Sequence, residues 1–357
     1  MTYLFRDRRS SKRDLTLLFI LVLCLLITVY SVKQNEDLYA DPIIMRFHAG
    51  DNNISCHYVQ DNDALPSAEA QEFSPKPNSF FFHETSCSGG LNSRQACAVE
   101  SAARAHPRRE VYVLFSGPIS NYVLKRSNLA KLRSYPNVRV ARVHINEYVK
   151  DTPLEDLVQR NVINDSQWRV EHTSDVLRYV TLYKYGGVYL DTDVVVVKSF
   201  SPLGHNWVAK QDSTEANSAI IAISMDHLGK KLAQEVMNEV KNTYRPDLWA
   251  HNGPGAFTRV LRNMCYPALQ HEWSAKSCQG LEVYGPDYFY PVHYSNYGVY
   301  FEPTDPEFLG SFDNAYAHHF WNKLSHNHVI KKNSPYALIA KNYCPTIFEM
   351  YGDEFGF

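Results

Sequence analysis

The chain has 357 residues, 45% of them hydrophobic, enough to bury a sizeable core in one large domain or two smaller ones. Its 36 Lys and Arg stand against 38 Asp and Glu, a formal charge of -2, and the pI is near 6.7. That composition excludes a largely disordered chain and supplies no basic stripe for a polyanion, so no nucleic-acid partner is expected.

At the N-terminus, Arg6, Arg8, Arg9, Lys12 and Arg13 precede a stretch from Leu15 to Val32 that carries no charge. At 1.5 Å per residue it reaches roughly 27 Å, a short membrane span. Lys33 is the only basic residue soon after it, so a signal anchor over 15–32 is expected, with residues 1–14 cytosolic and the remainder luminal. A cleaved signal peptide is the rival, but its apolar core is usually about 7–15 residues and no A-x-A-like site follows here. Cys24 lies within the span, which leaves Cys56, Cys87, Cys97, Cys265, Cys278 and Cys344 in an oxidising compartment. No C-x-x-C pair points to zinc. Cys265 and Cys278 flank one short loop and are the first disulfide expected; the other pairings stay open, with buried thiols as the alternative. Asn53-Ile54-Ser55 and Asn164-Asp165-Ser166 fit the N-glycosylation pattern.

Residues 33–78 are polar and aperiodic, with Gln34-Asn35-Glu36-Asp37 and Pro75-Lys76-Pro77, and read as a luminal stem. From 79 to 357 apolar runs alternate with helical patterns, the signature of an α/β domain with a largely parallel sheet. Phe80-Phe81-Phe82 predicts the first strand, Arg94 to His106 a helix, Glu110 to Phe115 a second strand and Val138 to Ile145 a third. The clearest helix runs from Thr173 to Tyr185, capped by Ser174 or Thr173 and ended by Gly186-Gly187. Val188 to Val197 follows as the most strand-like run. Ala219 to Ser224 predicts a strand and Leu228 to Thr243 a helix, and another helix follows Gly253-Pro254-Gly255. The aromatic tail is expected to be loops that wrap the sheet or line a site.

Within Val188–Val197, Asp191 and Asp193 interrupt an otherwise apolar strand at a spacing of two. Like charges so close resist joint ionisation and desolvation opposes both, which makes a divalent cation their natural partner. The bland reading is that Asp193 caps a turn and Asp191 pairs with a local Arg or Lys. The preceding helix and the Gly-Gly break favour a ligand site, since open α/β sheets bind ligands at strand C-termini.

The run Ser174-Asp175-Val176-Leu177-Arg178-Tyr179, with Tyr185-Gly186-Gly187-Val188-Tyr189-Leu190-Asp191-Thr192-Asp193, resembles the alpha-1,4-glycosyltransferase family of lactosylceramide 4-alpha-galactosyltransferase. Phe82-His83-Glu84-Thr85, Cys97-Ala98-Val99-Glu100, Gly253-Pro254, Trp321-Asn322-Lys323 and Tyr343-Cys344-Pro345-Thr346 extend the similarity over nearly everything after the stem. The resemblance implies a Rossmann-like GT-A fold behind the transmembrane helix, in the Golgi membrane. It also implies a donor of UDP-galactose or UDP-N-acetylgalactosamine, Mn²⁺ with Mg²⁺ as second choice, and transfer with retention to a glycosphingolipid. Asp193 then ligates the metal, Asp191 contacts the ribose or the metal, and His319 adds a ligand. Asp175 and Arg178 match sugar-binding positions, and His251 and Gly253 stand where diphosphate or acceptor is contacted. Asn217 is the candidate near the anomeric carbon, where no carboxylate nucleophile is evident. Each has a plainer rival: a surface ion pair for Asp175 and Arg178, a core histidine for His319, a helix cap for the segment at His251.

The sugar-transfer chemistry is consistent with this equipment, because a departing diphosphate needs a hard cation held by carboxylates and an oxocarbenium-like state needs nearby oxygens. A histidine ligand tips the choice towards Mn²⁺. A glycosidase would need two carboxylates and neither metal nor nucleotide. A tethered glycan-binding protein with a decayed site and a transferase acting on glycoprotein glycans also compete with the glycolipid reading. A homo-oligomer is compatible with all of them.

Overall fold

The computed structural model describes residues 52–59, 63–305 and 307–356, together with Val22. The chain divides into two units, Met1–Arg46 and Phe47–Phe357, and the fold below is that of the second. Apart from Val22, the expected anchor at 15–32, the tail before it and the first part of the stem lie outside the described residues. Among the described residues no helix is long and apolar enough to cross a membrane.

A seven-stranded sheet forms the centre, in the order β3-β2-β1-β4-β7-β6-β8. Strands β1 (Phe80–Glu84), β2 (Val111–Phe115) and β3 (Val138–Arg142) are parallel, and β4 (Gly187–Leu190) is parallel to β1. Phe80, Phe81 and Phe82 are all fully buried, as a strand covered on both faces allows, which is why this part of the sequence runs apolar without alternation. The sheet is largely parallel, as expected, and of its seven strands only the one at Ala216–Ile223 runs against the others. Strands β6 (Trp207–Lys210) and β7 (Ala216–Ile223) are joined by the short loop 211–215, closed by the Gln211 N–H donating to the Glu215 carbonyl, and so short a link can join only antiparallel neighbours. β7 is in turn antiparallel to β4, and β8 (Glu282–Tyr284) parallel to β6.

Helix α1 (Ser93–Ala105) starts at a reciprocal capping box between Asn92 and Gln95. Helix α2 runs from Arg169 to Tyr185, starting before the expected Thr173. Thr173 does not cap it: its hydroxyl donates back to the Arg169 carbonyl from inside the helix. Helix α3 (His227–Thr243) is capped by the Asp226 carboxylate, which accepts from the Gly229 N–H, and α4 (Ala256–Met264) follows a π-helical turn at His251–Gly255. The tail is more ordered than expected. It holds β8, the three-residue β9 (Ala317–His319), α5 (Pro335–Tyr343) and α6 (Pro345–Tyr351), elements too short to generate a clear period.

Cys265 and Cys278 pair as expected, and Cys56–Cys87 and Cys97–Cys344 close the remaining links, so none of the six stays a thiol. The second half of the expected stem belongs to the packed fold. Ile54, Cys56, His57, Leu65 and Ala68 are buried, and the buried Arg142 guanidinium donates to the Cys56 and Val59 carbonyls and pairs with Asp63 at 3.2 Å. The expected boundary at Ser79 therefore moves back at least to Asn52, because a buried guanidinium needs these partners. The sequon residues Asn53 and Asn164 are both partly exposed.

Four buried histidines make stability depend on pH. Burial lowers His57 and His106 to about 4 and His83 and His318 to about 3, from an ordinary 6.5. Below 6.5 the unfolded chain takes up protons that these rings refuse, so their contribution is complete above that pH and lost on acidification. Asp175, raised to about 7 by burial, and Glu84, also raised by burial, act in the opposite sense, but they are two groups against four. We expect chemical denaturation to show stability level above about pH 7 and falling between about pH 6.5 and 4, by up to about 1.4 kcal/mol per pH unit for each histidine. Stability that holds level down to pH 5 would show that these rings accept protons in the folded state.

Candidate active site at the Asp191–Asp193 turn

The expected single strand Val188–Val197 is broken at its two carboxylates. β4 ends at Leu190 within the large sheet, and β5 (Val194–Val196) pairs antiparallel with β9 in a separate two-stranded sheet. Asp191–Asp193 is the turn between them, closed by the Val194 N–H donating to the Asp191 carbonyl at 3.1 Å. The local reason lies upstream: α2 ends at Gly186, and Gly187 enters β4 with φ +96° where a Cβ would stand 2.3 Å from the Ser79 carbonyl. Only glycine lets the chain reverse this tightly against β1.

Pairing of Val194 with His319 brings the tail histidine to the turn. His319 Nε2 lies 3.1 Å from Asp193 Oδ1, while Asp193 Oδ2 accepts from the Asn322 N–H at 2.6 Å. Burial pushes the Asp193 carboxyl up, but His319 and the Asn322 N–H pull harder and leave it below the ordinary value. Ligand atoms of Asp191, Asp193 and His319 all lie within 4.8 Å of one another. The other ring nitrogen of His319 is buried with no hydrogen-bond partner, so nothing in the backbone commits this ring. Two carboxylates and an imidazole fit a divalent cation that accepts mixed oxygen and nitrogen ligands.

Asp175 and Arg178 are not a surface pair. Their side chains are 7% and 6% exposed, 3.1 Å apart, and Arg178 also reaches Asp191 Oδ1 at 3.2 Å. The guanidinium donates to Ser218 Oγ at 2.7 Å and lies over the Tyr189 ring. Tyr189 donates to the same Asp191 oxygen at 2.6 Å and takes part in a 2.9 Å contact with Ser174 Oγ. Burial opposes the charge of Arg178, yet Asp191, Tyr189 and Asp175 together hold its pKa above the ordinary value. Asp191 is thus oriented from one side by α2 and β4.

A cavity of about 460 Å³ opens beside the turn and is lined by Asp175, Arg178, Asp191, Asp193, Asn217 and His319 from among the expected residues. His251 and Gly253 are not among its lining residues. The His251 ring sits 2.9 Å from the Thr243 carbonyl and 3.2 Å from Arg259, tying the π-helical turn to the end of α3. Gly253 acts from behind: a Cβ there would come within 2.3 Å of Asp175 Oδ1, so its bareness makes room for the buried carboxylate.

Asn217 reaches the cavity but its amide is committed, accepting from the Ala219 N–H and donating to Gln211 Oε1 at 2.6 Å. Gln211 donates onward to Glu215 Oε2 at 3.0 Å. Gln211 and Glu215 both line the cavity, so a carboxylate does stand at this place, contrary to the sequence expectation. They escape a sequence reading because β6 is too short to announce the hairpin. Trp249, Tyr294, Trp321 and Lys323 also line the cavity; of these only Trp321 and Lys323 lie in a recognisable motif.

A family model described as "Alpha 1,4-glycosyltransferase conserved region" matches residues 225–351, and one described as "Glycosyltransferase sugar-binding region containing DXD motif" matches residues 92–214. Lactosylceramide 4-alpha-galactosyltransferase of Gorilla gorilla gorilla is 34% identical over 281 residues, 77% of this chain and 84% of that protein. The Homo sapiens protein of the same name is also 34% identical, over 77% of this chain and 78% of its own. Alpha-1,4-N-acetylglucosaminyltransferase of Homo sapiens is 28% identical over 261 residues, 71% of this chain and 74% of that one. Among solved structures, galactosyltransferase LgtC superposes with a TM-score of 0.40 at 16% identity, over 74% of this chain and 95% of that one, too loosely to carry weight.

The role of Gly253 is open to test. Gly253→Ala should destabilise the fold by about 1–3 kcal/mol in chemical denaturation, through pressure on Asp175. In Gly253→Ala/Asp175→Ala the added methyl should cost much less, because the atom it strikes is gone. Strictly additive costs would place the strain elsewhere.

Proposed function

The chain belongs to the alpha-1,4-glycosyltransferase family of lactosylceramide 4-alpha-galactosyltransferase, and from that premise we propose that it transfers a hexose from a UDP-sugar to the terminal sugar of a glycosphingolipid, with retention of the α configuration. The observation that carries the reading is the turn at Asp191 and Asp193, brought against His319 at the edge of a cavity large enough for a sugar nucleotide. The donor proposed is UDP-galactose or UDP-N-acetylgalactosamine and the acceptor a lactosylceramide-type glycolipid. A Golgi membrane location is proposed from the family resemblance, and the charge asymmetry around Leu15–Val32 supports an orientation with the catalytic domain luminal.

Asp191, Asp193 and His319 would hold the cation, for which Mn²⁺ is proposed ahead of Mg²⁺, and such a cation supplies charge neutralisation for the departing diphosphate. The protein's own share is preorganisation. Tyr189 and Arg178 fix Asp191 and the Asn322 N–H fixes Asp193, so neither carboxylate has to be ordered when the donor arrives. The Gln211–Glu215 pair supplies oxygens of the right sign for positive charge at the anomeric carbon. Retention would proceed by front-face attack or through a glycosyl ester, and Glu215, joined to Asn217 through Gln211, is the carboxylate proposed for the second route. A glycan-binding protein without turnover would keep the fold but release no UDP, and a glycosidase would need neither metal nor nucleotide.

The test uses both donors, defined glycosphingolipids and linkage analysis of the product. Asp193→Asn should reduce transfer by about a hundredfold or more with the thermal unfolding midpoint little changed, and His319→Ala should raise the Mn²⁺ concentration for half-activation by about tenfold. Near-normal turnover of Asp193→Asn at saturating Mn²⁺ would remove that residue from the metal shell.

A further inference from the structure

In the cavity that opens beside the Asp191–Asp193 turn, Lys323 Nζ lies 2.5 Å from Glu171 Oε1, and both side chains line it. They come from unrelated parts of the chain. Glu171 is in the first turn of α2, and Lys323 is in the short helix Asn322–Ser325 that follows His319. That helix is fastened to the turn by the Asn322 N–H on Asp193, and it is entered through Trp321 in the left-handed region at φ 54° and ψ 48°. A bulky side chain rarely adopts that backbone, and such strain persists only where the surroundings hold it.

The charges in the cavity give this ion pair its meaning. Among the described residues Arg178 and Lys323 are the two Lys or Arg side chains that line it. Arg178 is buried and already paired with Asp175 and Asp191. Lys323 is 39% exposed and its salt-bridge partner among the described residues is Glu171, at 25% exposure. The second oxygen of Glu171, Oε2, is buried and has no hydrogen-bond partner. A buried acceptor left open in this way marks a group that a ligand can satisfy.

On the reading that a UDP-sugar binds at the Asp191–Asp193 turn, we propose that the Lys323–Glu171 pair is a latch that the donor's diphosphate opens. A diphosphate offers an ammonium more charge and more acceptor oxygens than one carboxylate does, so Lys323 leaves Glu171 for it. The released Glu171 carboxylate then accepts hydrogen bonds from hydroxyls of the acceptor sugar, next to Ser174 and Trp249 in the cavity wall. The consequence is ordered loading, donor first. Before the donor arrives, Glu171 is occupied by Lys323; afterwards it is the free acceptor-binding group.

The experiment measures binding to the full chain in detergent, with UDP and Mn²⁺ as donor-side probe and lactose as acceptor-side probe. Lys323→Met should weaken UDP by about tenfold or more, and Lys323→Arg, which keeps the charge, should restore most of that affinity. Glu171→Gln should instead tighten UDP by about two- to fivefold, the competition from a half-exposed ion pair being weak, while lactose binding in the presence of UDP falls by about tenfold. In wild type, lactose should bind measurably only once UDP is present. UDP affinity unchanged by Lys323→Met, or weakened by Glu171→Gln, overturns the latch while leaving the donor reading intact. A wild-type protein that binds no UDP with Mn²⁺ overturns the donor reading and the latch together.

Discussion

Arg178 is a guanidinium taken almost wholly out of water, and the arrangement of the site follows from the need to compensate it. An unpaired ion at this depth would cost several kcal/mol, and a single carboxylate would leave most of its five N–H donors unmet. Asp175 on its own helix, Asp191 at the end of β4, Ser218 on β7 and the face of Tyr189 between them supply the compensation. Because these groups sit on α2, β4 and β7, satisfying Arg178 sets where the three elements meet. It also sets the direction of the Asp191 carboxylate. The bareness of Gly253 belongs to the same constraint, since the carboxylate of Asp175 fills the space its side chain would take.

The second constraint is the handover of the chain from one sheet to another. The Asp191 N–H still belongs to the large sheet, donating to the Ala219 carbonyl of β7, whereas the Asp193 carbonyl already receives the Phe320 N–H beside β9. The turn is clamped by two layers that have no other reason to be in register. Continued in the register of β4 and β7, Asp191 and Asp193 would share one face opposite Ala219 and Asn217 and stand apart from β9, which belongs to the other sheet. Placed in this turn, both carboxylates gather at one point, and β9 adds an imidazole to them.

The cavity takes its two characters from its walls. The hairpin loop between β6 and β7 contributes an amide and carboxylate chain, Asn217 to Gln211 to Glu215, whose members orient one another. Aromatic rings of Trp249, Tyr294 and Trp321 also line the cavity. The Trp321 indole N–H donates to the Val292 carbonyl and its ring lies 4.1 Å from that of His319, so the group that stiffens the histidine also shapes the opening. Polar groups held by other polar groups on one side and by packed rings on the other need little reorganisation to receive a ligand.

The sequence by itself determined the elements with strong local signals. Phe80-Phe81-Phe82, the helix over Arg94 to His106, the Gly186-Gly187 break and the helix from Leu228 are read from propensity, periodicity and glycine geometry, which act over a few residues. It also singled out Asp191, Asp193 and His319, the first two because two carboxylates in an apolar run demand an explanation, the third through family resemblance alone. Tertiary structure decided everything that depends on partners far along the chain. It broke Val188–Val197 into two strands, because β5 finds its partner in β9 near the other end of the domain. It made Asp175 and Arg178 a buried anchor where their spacing alone also allowed a surface pair, kept His251 out of the cavity and put Glu215 into it. It also drew Ile54 and Cys56 into the core through the buried Arg142 and the bond to Cys87. The physical reason is common to these cases: burial and pairing are properties of what packs against a residue, and a local sequence window does not contain the residues that will do so.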